Sequence, residues 1–189
     1  MTPESDAVKR EMLRHFLAAL AYRTQKALRG APEGFGDFSA GAGTRTPREL
    51  VRHMRGVIGY SRTYFIGGLY PPDEMDSFAI EVEKFHATLA DVSAHLAAGT
   101  PLRDIAMEQL LQGPFSDAMT HAGQLAILRR LAGSPVESEN FIFAQISPDH
   151  LGSDQPLPAA PDSRWTGAAL HMAWRLSAWL TRLTRRARK

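Results

Sequence analysis

Four long stretches of this chain carry apolar residues at alternating steps of three and four, and clusters of glycine and proline separate them. That spacing is the 3.6-residue repeat of an α-helix, not the period of two that a half-buried strand requires. The first stretch, Glu4 to about Arg29, puts Val8, Met12, Phe16, Ala19, Leu20, the Arg23 stem and Ala27 on one stripe, with Ser5 available as an N-cap. Gly30 to Thr46 holds Gly30, Pro32, Gly34, Gly36, Gly41 and Gly43, a density of backbone breakers that reads as a long loop. Thr46-Pro47-Arg48-Glu49 then supplies a cap, a proline at the first helical position and a glutamate at the third, starting a second helix that runs to about Ile66. A third is expected from about Asp73 to Ala98, closed by Gly99. Thr100-Pro101 opens a short helix to Leu110 or Leu111, and Gly113-Pro114 separates it from a longer one, Phe115 to Leu131. Asn140 to Ile146 fits a helix or a strand equally. The class predicted is all-α, most simply a four-helix bundle over residues 1–147.

Composition narrows the chemistry. Hydrophobic residues make up 44% and charged residues 22% of the 189, the balance of a globular domain. There is no cysteine, which removes disulfides, thiolate metal ligands and a cysteine nucleophile, so any thiol chemistry would borrow its sulfur from another molecule. A cytoplasmic location is expected from this, and from the lack of a leader-like start or a membrane-spanning apolar run. The net charge of +2 is too small to suggest nucleic-acid binding by the whole surface.

That small net charge hides two parts. Residues 148–163 read as a Pro-rich connector, and residues 164–189 hold seven Lys or Arg and no acid, leaving 15 basic against 20 acidic residues in the rest. Trp165, Ala169, Met172, Leu176, Trp179 and Leu183 share one side of this segment, which reads as a basic amphipathic C-terminal helix. Docking on the bundle or across a homodimer explains that side. Tryptophan with arginine also suits an anionic membrane surface.

The histidines are where chemistry can sit. His53 shares a face of the second helix with Val57, Tyr60 and Tyr64, a face expected to point into the bundle. Asp117 and His121 lie four apart on a stripe continued by Leu125, Leu128 and Ala132, so both are expected to project into the same core. A buried carboxylate needs compensation, which a divalent metal held with imidazoles supplies; a simple Asp–His hydrogen bond at a helix surface is the alternative. Gln124, one turn on, is first a polar bundle residue, and second a group to orient a ligand or a metal-bound water. Tyr60 and Tyr64 are core aromatics or pocket walls. His86 and His95, nine apart, fall on different faces of the third helix and are not expected to act together.

The order Thr46-Pro-Arg-Glu-Leu-Val-Arg-His53-Met, then Phe115-Ser-Asp-Ala-Met-Thr-His121-Ala-Gly-Gln-Leu, then Leu128-Arg-Arg-Leu-Ala-Gly133-Ser-Pro135, resembles the DinB/YfiT-like superfamily of metalloenzymes over roughly Glu4 to Ile146. The resemblance implies an up-down-down-up bundle with a long first crossover. It also implies one divalent metal, zinc, nickel, iron or manganese, on His53, Asp117 and His121. Members most often carry histidine where this chain has Asp117, so the implied set is two imidazoles and one carboxylate, with either an altered preference, for example a harder ion, or a loss of tight binding. Similar proteins include thiol-dependent S-transferases and isomerases using low-molecular-weight thiols, and hydrolases. The expectation is therefore transfer to, or hydrolysis of, a small-molecule electrophile by a metal-activated thiol or water. Its rival is a non-catalytic, stress-associated dimeric bundle with a vestigial site.

Overall fold

The computed structural model describes residues 3–158, and among these every regular element is a helix. The basic helix expected over residues 164–189 lies outside the described residues. Residues 3–136 belong with Ile146–Pro156 to one compact unit. Glu137–Gln145 falls outside it and contains one 3-10 turn, Phe141–Phe143, whose Asn140 cap accepts from the Ile142 N–H at 3.2 Å. No described helix is long and apolar enough to cross a membrane.

Four long helices build the first unit: α1 (Pro3–Leu28), α2 (Pro47–Ile66), α3 (Phe78–Ala97) and, after the short α4 (Met107–Leu110), α5 (Ser116–Leu131). α1 and α2 each pack against both α3 and α5, so the two helices that are consecutive in sequence lie across the diagonal of the bundle. The long connection between them follows from that arrangement. Its centre is a core of fully buried side chains, among them Leu17 and Leu20 from α1, Met54 and Ile58 from α2, Phe85 and Leu89 from α3, and Leu125 from α5. Burying residues of this size stabilises the fold by roughly 1.5–3 kcal/mol each, which outweighs the modest helix propensity of the β-branched ones.

The side that α1 turns inward keeps Leu20 and Ala27 of the expected stripe, with Phe16 packed at its edge, but is centred elsewhere. Leu13, Leu17, Leu20, Ala21 and Leu28 are buried, whereas Val8 and Met12 are 56% and 68% exposed. Both sides carry apolar residues at helical spacing, and contact with α3 and α5 decides between them. Ser5 lies within the helix and does not cap it. α3 starts at Phe78 and not near Asp73, because the Ser77 side chain accepts the Ile80 N–H at 3.3 Å and fixes the start there. The segment before it is held by a buried ion pair, Arg55 Nε to Glu81 Oε1 at 2.6 Å, with Arg55 also donating to the Asp73 carbonyl and the Met75 N–H donating to Glu81 Oε2 at 3.3 Å. Gly59 is required beneath that segment: a Cβ there would lie 2.1 Å from the Tyr70 ring.

The helix expected from Thr100-Pro101 is reduced to Met107–Leu110. Asp104 adopts φ 61, and the Arg103 N–H donates to the Tyr64 carbonyl at 2.9 Å, diverting the chain before it can wind. Gly113-Pro114 does separate the short helix from the longer one, as expected, because the backbone at Gly113 is not helical. Residues Leu111–Phe115 carry the chain through a kink at Gly113 (φ −97, ψ −105) into α5.

Two long-range ties complete the unit. The buried Arg129 of α5 donates to the carbonyls of Ala27 (2.9 Å), Arg29 (3.0 Å) and Gly30 (3.1 Å), satisfying the end of α1 that has no further helical partners. Part of the stretch read as a connector lies along α1 and α3. Arg14 pairs with Asp149 at 2.5 Å, His86 Nδ1 donates to the Leu151 carbonyl at 2.7 Å, and Arg29 donates to the carbonyls of Gln155 and Pro156.

Candidate metal centre

α2 opens with a complete capping box. The Glu49 N–H donates to Thr46 Oγ1 at 3.3 Å, and the Thr46 N–H donates to Glu49 Oε2 at 2.8 Å, with Pro47 at the first helical position. This fixes the register of α2 and so the direction of His53 in its second turn. The interior face of α2 is Leu50, Met54, Ile58 and Phe65, and the stripe through His53 sits at its flank. His53 keeps 32% of its side chain exposed and Tyr60 is 52% exposed, so this stripe does not point into the core as expected.

α5 brings the other two groups. Asp117 stands in its first turn, immediately after the Gly113 kink, and His121 follows one turn later. His121 is buried, but the Asp117 side chain is 46% exposed. The carboxylate is therefore at the rim of the bundle, not inside the core, and its desolvation is partial.

The three residues nevertheless converge. His53 Nε2 lies 3.3 Å from Asp117 Oδ2, His121 Nε2 lies 3.4 Å from Asp117 Oδ1, and the two imidazoles meet edge to face at 4.7 Å between ring centres. One donor atom from each falls within 4.8 Å of the others. A tetrahedral ion with bonds of about 2.0–2.2 Å holds its ligand atoms about 3.3–3.6 Å apart, whereas a charge-assisted hydrogen bond is about 2.7–2.9 Å long. The two contacts, each to a different Asp117 oxygen, lie closer to the first of these than to the second, and the group can hold a divalent metal ion.

Protonation and tautomer suit that role. Burial is the main influence pushing the His53 pKa down, the Arg45 guanidinium and His121 add to it, and Asp117 opposes them. The net effect favours the neutral imidazole, the form that ligates. Gln124 Oε1 accepts from His121 Nδ1 at 2.8 Å, which leaves the His121 lone pair on Nε2, facing Asp117. The glutamine thus orients the His121 side chain, a contact whose three-residue spacing on a helix was visible in the sequence.

A cavity of about 540 Å³ opens beside His121, between the 40–45 loop and the α5 side chains Gln124, Ile127, Leu128 and Leu131. Tyr60 and Tyr64 do not line it. Their hydroxyls bond to each other, with ring centres 5.1 Å apart. His86 and His95 are separate from the centre and from one another: His86 holds Leu151, and His95 stacks on Phe65 at 5.4 Å.

Comparison with known proteins adds no relative to this geometry: no family model, no curated protein and no solved structure matches the chain.

Proposed function

We propose that this chain is a divalent-metal-dependent enzyme of the DinB/YfiT-like type, activating a thiol or a water for transfer to, or hydrolysis of, a small electrophile. The observation that carries the proposal is the convergence of His53, Asp117 and His121, from two helices more than fifty residues apart in sequence, at separations suited to one ion. Asp117 contributes the negative charge that partly balances a dication, and the two imidazoles complete three protein ligands. When bound, such an ion acts as a Lewis acid and lowers the pKa of a water or thiol held beside it. Gln124 keeps His121 in the ligating tautomer, and the apolar wall of α5 limits water on one side of the site. Absence of cysteine makes any thiol an external co-substrate.

Elemental analysis tests this reading, using protein purified without an affinity metal or a chelator beside an Asp117→Ala variant. About one zinc, nickel, iron or manganese per chain is expected in the parent and none in the variant. A parent that retains no ion, and takes up none when each is added, overturns the metal centre and leaves a non-catalytic bundle.

A further inference from the structure

The cavity beside His121 carries a charge pattern that specifies more than its size does. Its volume, about 540 Å³, falls among those of small-molecule sites, about 300–1,000 Å³. One wall continues along α5 from His121 through Gln124 and Leu128 to Ile127 and Leu131, and the last two are 58% and 59% exposed, so an apolar strip leads outward from the metal ligands. The facing wall is the 40–45 loop, in which Thr44 donates to the Gly41 carbonyl at 2.7 Å through Oγ1 and at 3.2 Å through its N–H. That turn commits the Thr44 proton and presents Arg45 to the cavity. Arg48 and Arg52 nearby are paired with Asp37 at 3.0 Å and Glu74 at 2.9 Å, but Arg45 makes no ion pair among the described residues. Among the described residues that line the cavity there is no acid. The Gln124 oxygen is already committed to His121, so the polar groups left to a ligand there are chiefly donors, the Arg45 guanidinium and the Gln124 amide N–H groups.

We infer that this groove binds a small carboxylate-bearing molecule with a compact apolar body, and that Arg45 is its anion anchor. A single planar guanidinium matches a carboxylate in a two-bonded fork, and Ile127 and Leu131 cover the hydrocarbon part. The inference rests on the proposed metal centre for its chemistry, since the ligand's other end would then lie toward His121, but not for the anchor itself.

Calorimetric titration with hexanoate and with 1-hexanol tests it on the full chain, both as purified and after chelator treatment. Hexanoate is expected to bind in both forms and hexanol at least about tenfold more weakly; Arg45→Met should cost hexanoate about tenfold or more, and Arg45→Lys less. Ile127→Glu, also on the exposed rim, should abolish hexanoate binding without lowering the melting temperature. Hexanoate affinity unchanged by Arg45→Met overturns the anchor. So does binding that vanishes in Asp117→Ala or on chelation while surviving Arg45→Met, because the carboxylate is then a ligand of the ion. A protein without metal that still shows Arg45-dependent binding sustains the groove and defeats only the metal reading.

Discussion

Gln124 decides which nitrogen of His121 faces Asp117 and His53, so one side chain outside that trio would have a measurable share in the affinity of the proposed centre. If the proposed centre is correct, Gln124→Leu removes the acceptor for Nδ1–H, frees the imidazole to turn, and weakens metal binding about 10–100-fold. Gln124→Glu keeps an acceptor and should retain the affinity. A competition titration against a chromophoric chelator checks both, and equal affinity in the leucine variant would show that packing alone orients His121. That His53, Asp117 and His121 are candidate donors was legible chiefly through the family resemblance; the helical spacing of Asp117 and His121 added only the expectation that the two project together. The exposure of Asp117 was not legible. It depends on how the Gly113 kink aims the first turn of α5, a backbone geometry that residue spacing does not encode.

At the scale of the element, the pair Arg55 and Glu81 ties α2 to the start of α3 and to the segment between them. Their side chains are only 6% and 0% exposed, so removing one partner strands a charge in a nearly dry site. Glu81→Ala is expected to destabilise the protein by about 3–5 kcal/mol, and an Arg55→Met, Glu81→Leu double variant to recover most of that loss. Urea denaturation of the two variants and the parent measures both effects. A double variant no more stable than Glu81→Ala would mean that the hydrogen bonds to Asp73 and Met75, not charge burial, dominate. Helix starts were well marked in sequence where a side chain caps its own backbone, as at Thr46, and misplaced at α3, expected from about Asp73, where the Ser77 cap sets the start instead. The inward face of α1 was ambiguous for a different reason. Val8 and Met12 form as good a helical stripe as Leu13 and Leu17, and only the neighbouring helices distinguish them.

For the whole molecule, His86 couples pH to the attachment of the last described segment. Its Nδ1–H bonds to Leu151, while Nε2 is buried with no partner among the described residues, so protonation would place a second N–H where nothing accepts it. Burial pushes its pKa below the ordinary 6.5, against the raising effect of the Leu151 bond. In the unfolded chain the group takes up its proton at about 6.5 and in the native chain only at lower pH, so stability is full above that value and falls as the pH drops through and below it. His53, shifted the same way, adds to the slope. Urea midpoints at pH 7.5, 6.5 and 5.5 should decline in the parent and decline less in His86→Asn, which retains a donor for Leu151; parallel declines would remove His86 as the cause. The diagonal placement of α1 and α2 has a consequence for how the protein is made. α1 leaves the ribosome before α5, yet the carbonyls at its end wait for Arg129, 102 residues behind Ala27. At roughly 5–20 residues per second that is a delay of about 5–20 s, during which the side of α1 that meets α5 has no lasting cover. Nascent chains arrested before α5 should therefore be captured by chaperones far more readily than chains arrested beyond it.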